Sequence, residues 1–488
     1  MDTGETMKKR LNLKTPFIFL FILIYASFAF TQNPPSEEQT SDKEQKKSEN
    51  GKTEETAKKE ISEAEERRNI ILYGLADDIL ELIKTLQNEK EDGFDSDLQK
   101  IFTETKVPAV RNALFAYFAQ KKNSCLKTDA LIVLESRYDY PKDTVNAAIA
   151  YIRDLEIADG IQYLREILKD EDSDYTAISI TALGKIGGAE DAVFLSELFE
   201  SDSSKDEKEM LILKQNIMFA LEELHSGETW DFLEKTAADT EENSIIRGTA
   251  AAALGKIGDE KAVPVLTELF EDKDPVLRTA AIKGLAGFKT EKARAVLLQA
   301  FKDTYYKVRL QAIQSAKEEK NPAAVPYILY RAKKDPENTV RIAAIEALSE
   351  LNDGESNEWI KEAFNDEKTG ITLRLKIAEY FLKNNFDFIY ADVEKETLVS
   401  LSASNKQKNK FASELGKIIS KIENGATAKI AEAFMNHKEV LFKSIGLDMF
   451  KLNKYSSLVP LVSAIAENES NGALSRRAKT LLEQAGSK

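Results

Sequence analysis

The chain has 488 residues, 31% charged and 42% hydrophobic, with 21 Gly and 11 Pro, a balance that suits a helix-rich globular protein better than a β-rich one. Its formal net charge of −15 lacks the basic footprint that binding to phosphate backbones requires, which excludes nucleic acid as a general partner. Cys125 is the only cysteine, so neither an intramolecular disulfide nor a thiolate zinc site can form, and it reads as a small buried apolar side chain.

The N-terminus has the layout of an export signal. Lys8, Lys9, Arg10 and Lys14 precede an apolar run from Phe17 to Phe30, and Ser27-Phe28-Ala29 supplies a small-x-small pattern. The run falls short of the roughly 20 residues that span a bilayer, so residues 1–31 are read as a cleaved signal peptide, with an uncleaved N-terminal anchor as the alternative. An exported, periplasmic or otherwise extracytoplasmic location follows from either reading, with membrane contact only through an uncleaved segment. Residues 32–62 carry almost no apolar side chains and are expected to be a disordered charged linker.

Residues 63–105 are expected to form N-terminal capping helices, with Ile70, Ile71, Leu75, Ile79, Ile83 and Leu86 on one helical stripe. Residues 106–368 then form helix-pair repeats, clearest over 172–366. Arg247, Arg278, Arg309 and Arg341 recur at intervals of 31, 31 and 32 residues. Three residues after each stands an alanine (Ala250, Ala281, Ala312, Ala344), and four after it Ala251, Ile282, Ile313 or Ile345. Seven after it come Leu254, Leu285, Ala316 and Leu348. Offsets of 0, 3, 4 and 7 share one helical face, so each repeat opens with an amphipathic first helix whose inner stripe is small residues plus Leu or Ile.

A second apolar run follows each first helix, as in Ala262-Val263-Pro264-Val265-Leu266 and Ala324-Val325-Pro326-Tyr327-Ile328. Proline lacks the N–H an interior position donates, so Pro264 and Pro326 place second-helix starts near Ala262 and Ala324. Gly258 suits the positive φ of a helix end between the two. Degenerate units extend the pattern from Val107, Thr144 and Met210, and again from Thr369, Lys408 and Val440. Residues 369–488 are read as degenerate repeats, or a distinct helical module, closed by a polar last helix from Ser475 to Gln484. The period implies an all-α solenoid of about 11–12 helix pairs.

The stretch Ala253-Leu254-Gly255-Lys256-Ile257-Gly258-Asp259, with Arg247 upstream, resembles the short HEAT repeat found in phycobilisome lyases, in an exported bacterial type. That resemblance implies an armadillo-type, right-handed superhelix in which second helices line the concave face. It also brings two activities to weigh. Deoxyhypusine hydroxylases, built on a similar fold, bind iron through His-Glu pairs. Here His225 precedes Ser226 and His437 precedes Lys438, so that activity is expected to be absent. Bilin-lyase-like chemistry cannot be transferred from the repeat alone.

No catalytic set emerges. His225 and His437 lie in different repeats and read as surface or helix-end residues, and Gly184, Gly187 and Gly188 follow a helix, not the strand a phosphate loop needs. No catalytic, cofactor-binding or metal-binding residue and no cofactor is assigned. The candidate partner-binding residues form two columns on the second helices: Glu197, Glu268, Gln299 and Tyr330, then Glu200, Glu271, Lys302 and Lys333. The latter changes sign along the array and so suits a partner of opposite gradient. The repeat arginines are assigned a structural ladder with Asp272, Asp274 and Asp303, and Tyr305 and Tyr306 are a possible aromatic anchor or inter-repeat filler. The expected function is a non-catalytic extracytoplasmic scaffold or adaptor for protein partners in the cell envelope. The alternatives are a bilin-lyase-like or other enzyme on HEAT repeats and a structural envelope-spacing protein.

Overall fold

A computed structural model of the chain describes residues 63–89, 93–170, 173–201, 206–468 and 472–486. The signal-like segment and the charged linker lie outside the described residues. From Arg67 onward the chain is one unit, and among the described residues it is built of α-helices and short 3-10 turns without a strand.

Eleven helix pairs run from Pro108 to Glu467, beginning with Pro108–Gln120 and Lys127–Glu135 and ending with Val440–Asn453 and Val459–Glu467. The clearest units are Ser244–Ile257 with Ala262–Phe270, Pro275–Leu285 with Glu291–Ala300, Tyr306–Glu318 with Val325–Lys334, and Asn338–Leu351 with Gly354–Asn365. Local chemistry sets the boundaries. Asp274, Thr290 and Asn405 accept backbone N–H bonds at helix starts, and Pro108, Pro275 and Pro326 occupy first turns. Gly258 ends the Ser244–Ile257 helix at φ 76°, in the left-handed region.

Each second helix packs on the first helix of the next unit, and successive first helices pack on one another, so the array has a first-helix layer and a second-helix layer. The alternation continues through Ile371–Asn384, Phe386–Ser402, Lys406–Ile419 and Ala428–Met435, so the C-terminal third carries on the same stack. A last helix, Gly472–Gly486, buries Leu474, Ala478 and Leu481 against the final pair.

The N-terminal stripe departs from its expected form. Ile71, Ile79, Ile83 and Leu86 are buried, but Leu75 is 76% exposed. The helix over 63–73 ends at Gly74, and a new one, Ala76–Glu89, starts beyond it. The carboxylate of Asp78 accepts the Leu75 N–H at 2.9 Å, so the chain restarts there and Leu75 leaves the inner face.

The two layers are unequally spaced. First helices approach to backbone contact: a Cβ added at Gly184 would lie 2.7 Å from Ala220 Cα, and one added at Gly255 would overlap Gly284. Aromatic rings separate the second helices, with Phe199 against Phe232 at 5.2 Å and Phe301 against Tyr327 at 5.6 Å. Two joined layers of unequal spacing must curve toward the tighter one, so the first helices form the concave side over this stretch. Glu222 confirms the geometry by reaching past Lys256 to Lys283, two first helices away, at 2.5 Å. The expectation that second helices line the concave face is therefore corrected between Thr176 and Leu285, because glycine and alanine sit between first helices and rings between second ones.

Candidate protein-docking surfaces

The repeat arginines form a ladder that ties successive inter-repeat loops. Arg278 donates Nε and Nη2 to the two oxygens of Asp303 at 2.8 and 2.9 Å, while Nη1 donates to the carbonyls of Asp272 and Lys273. Arg309 repeats the arrangement on Asp335, at 2.8 Å to each oxygen, and on the carbonyls of Asp303 and Thr304. Each guanidinium thus joins the loop entering its repeat to the loop leaving it. Arg247 makes a longer pair with Asp272 at 3.6 Å, and Arg374 a similar one with Glu396 at 3.3 Å.

Of the expected partners, Asp272 and Asp303 join the ladder. Asp274 does not: as the helix N-cap its carboxylate is taken by the Val276 N–H. Asp335 was not foreseen, although its spacing of 26 residues from Arg309 nearly matches the 25 between Arg278 and Asp303. Burial alone would raise the carboxyls of Asp303 and Asp335. The Arg278 and Arg309 forks, with the Tyr305 and Glu337 amides, outweigh it and hold both below the ordinary aspartate value. Arg341 carries no carboxylate: among the described residues only its Nε is engaged, donating to the Ala332 carbonyl at 3.2 Å.

The second-helix columns are surface features. Glu197, Glu200, Glu268, Glu271, Gln299, Lys302 and Tyr330 are exposed and Lys333 is half-buried. Glu200 pairs with Lys235 at 2.9 Å, whereas Lys302 and Lys333 lie over the rings of Tyr327 and Trp359 at 5.8 and 5.6 Å from their centroids. The change of sign is thus joined by a change of partner, from lysine to aromatic. Tyr305 and Tyr306 are half-buried and lie against each other, with centroids 5.3 Å apart.

A groove of about 830 Å³ opens on the other layer, across four consecutive first helices: Pro108–Gln120, Lys142–Asp154, Thr176–Ile186 and Glu207–Leu224. Small side chains, Ala119, Ala147, Ala150, Gly184 and Ala220, leave room for it, and Phe219 stands 52% exposed on its wall. Most of its charged rim is paired, Lys185 with Glu156 at 3.2 Å, Arg153 with Asp154 at 2.8 Å and Glu223 with Lys256 at 2.7 Å, while Lys122 donates to the Asp154 backbone carbonyl at 3.1 Å. An occupant would therefore be gripped by shape and apolar contact more than by net charge. The sequence did not single out this groove, because its walls come from four repeats.

The chemistry-bearing residues stand apart. Burial, followed by the Asp95 carboxylate, pushes the half-buried Cys125 thiol up to about 11, which makes it a poor nucleophile. His225 ends the Glu207–Leu224 helix in the left-handed region, with Nδ1 2.7 Å from the Glu223 carbonyl. His437 packs edgewise on Phe442, and its Nδ1 accepts the Glu439 N–H. No group of three or more His, Cys, Asp or Glu among the described residues could hold a metal, and no described helix is long and apolar enough to cross a membrane.

Residues 71–481 match the family described as spirochaete HEAT repeat protein. The chain belongs to that family. Deoxyhypusine hydroxylase of Drosophila melanogaster is 29% identical over 94 residues, which are 19% of this chain and 29% of that protein, so the chain spans less than a third of that relative's length. Among solved structures, a Kap121p mutant has a TM-score of 0.42 at 12% identity, over 85% of this chain and 56% of that one. The CpcE and CpcF complex of phycocyanin lyase from Nostoc sp. PCC7120 has a TM-score of 0.26 at 18% identity, over 59% of this chain and 97% of that one. The family accounts for the repeated helix pairs of the stack.

Proposed function

We propose that this member of the HEAT repeat family is a non-catalytic scaffold that holds a protein partner on the extracytoplasmic side of the cell envelope. The observation that carries the reading is the groove assembled from four consecutive first helices, with an exposed phenylalanine and a rim whose charges are mostly paired. Such a surface offers shape and apolar contact along an extended track, which suits a helix or extended segment of another protein. Scarce histidine, the raised Cys125 thiol and the dispersed titratable groups support binding over catalysis. The basic, apolar, small-residue order of residues 8–29 supports export.

Affinity capture from envelope extracts tests the reading, with the groove variant Phe219→Asp set beside Lys302→Glu/Lys333→Glu on the second-helix layer. The groove variant is expected to lose the partner that the unaltered chain retains. Equal capture by that variant sinks the groove as the docking site, and unchanged capture by the lysine pair eliminates the second-helix column. Protease accessibility in intact and permeabilised cells tests the location: protection by the inner membrane would overturn export.

A further inference from the structure

The repeats act as controls for one another, and one rung of the arginine ladder is open. Arg247, Arg278, Arg309 and Arg374 each bring Nη2 to a carboxylate, at distances from 2.8 to 3.6 Å. Arg341 stands in the same register, and its terminal nitrogens have no carboxylate within 4.0 Å among the described residues. Its counterpart is present. Asp366 lies 25 residues on (366 − 341 = 25), and its Oδ1 accepts the Lys368 N–H at 2.9 Å, just as Asp303 takes the Tyr305 N–H and Asp335 the Glu337 N–H. Asp366, however, is exposed and makes no ion pair among the described residues, whereas the side chains of Asp303 and Asp335 are 7% and 0% exposed.

A cleft of about 380 Å³ occupies the place where the rung would close. Arg341, Lys333 and Lys368 line it, with Trp359 on one side and Ile345 and Leu373 below. Neither lysine is in an ion pair among the described residues, and Lys333 lies over the Trp359 ring. Glu362 and Asp366 face the same space, so three cations meet two carboxylates and the balance is one positive charge.

We infer that this cleft binds a Glu or Asp side chain of an acidic peptide segment from a partner protein, whose carboxylate takes the place beside the terminal nitrogens of Arg341 that Asp272 and Glu396 take beside Arg247 and Arg374. With Nε held by the Ala332 carbonyl, as Nε of Arg247 is by Ala237 and that of Arg374 by Phe364, the two terminal nitrogens of Arg341 are left to donate to a carboxylate. A phosphate would meet the same three cations, so inorganic phosphate is the competing anion in the titrations below. The apolar floor beside Trp359 accepts a residue flanking the acid, which favours a peptide over a free small acid. The site is separate from the first-helix groove and names the chemistry of a second contact in the scaffold reading, on which it rests for the existence of a partner.

Trp359 supplies the readout. Trp230→Phe in the full chain leaves it as the sole tryptophan of the two, and its emission is followed during titration with an acetylated, amidated hexapeptide of alternating Glu and Leu. Parallel titrations use the Gln-for-Glu peptide, free glutarate and inorganic phosphate. A saturable change with the acidic peptide alone is expected. A hydrogen-bonded charge pair is worth enough that Arg341→Gln should weaken binding about tenfold or more. Asp366→Ala, an exposed change that leaves the fold intact, should tighten binding severalfold by removing the internal competitor. Equal binding of the Gln peptide, stronger binding of phosphate or glutarate, or indifference to Asp366→Ala would each overturn the inference. Partner capture by Phe219→Asp is scored separately, so failure of the cleft leaves the groove reading standing.

Discussion

Arg309 and Asp335 meet where solvent does not reach, with the carboxylate side chain 0% exposed and both oxygens bonded at 2.8 Å. Removing one member of such a pair strands the other charge, at a cost of about 3 to 5 kcal/mol. Asp335→Ala should therefore lose that much stability by chemical denaturation, against about 1 kcal/mol for Asp274→Ala, which deletes only a helix cap. Acid sharpens the comparison. Both ladder carboxyls lie below the ordinary value of 3.8, so their stabilising effect is complete above that value and is lost as pH falls through the lowered folded values. Denaturation midpoints measured from pH 7 downward should fall below about pH 4 in the unaltered chain and fall less steeply in Asp335→Asn. Identical slopes would remove the ladder from the acid response. Arg247, Arg278 and Arg309 of this ladder were legible in their spacing, but Arg374 and some of the partners were not: the carboxylate of Asp274 is consumed by its own helix, which linear separation does not reveal.

At the scale of helices, the first-helix layer depends on residues without side chains. Gly255 and Gly284 face each other where a Cβ on either would strike the opposite backbone or Leu266. Helix propensity favours alanine over glycine by about 1 kcal/mol, but overpacking a tight contact costs about 1 to 3 kcal/mol. Gly255→Ala should thus be destabilising, whereas Gly354→Ala, with nothing within 4 Å of the added carbon, should be neutral or stabilising in thermal melts. Equal melting temperatures for the two variants would mean that the layers are not set by backbone contact. The small residues at these offsets are visible in the sequence as an amphipathic stripe. Their consequence, a concave first-helix side, is not visible, because it depends on how much wider the ring-filled second layer is.

From Arg67 onward the described residues form a stack in which units touch mainly their neighbours, with reaches such as Glu222 to Lys283 as exceptions. Stability of such an array is a sum over units and interfaces, and weakening one interface uncouples its two sides. Asp335→Ala is expected to turn one denaturation transition into two, with hydrogen exchange protection falling first in the helices beside the broken rung. A single transition merely shifted to lower denaturant would show the array to be more cooperative than nearest-neighbour contacts imply.

The linear sequence by itself determined the helix pairs, their boundaries at Gly258, Pro264 and Pro326 and the arginine register, because each is written in spacing and residue type within one unit. Only the tertiary structure decided which layer curves inward, which aspartate closes each rung, where the groove opens, and that the rung at Arg341 stays open. Those outcomes depend on distances between side chains of different units, and a one-dimensional pattern carries no measure of such distances.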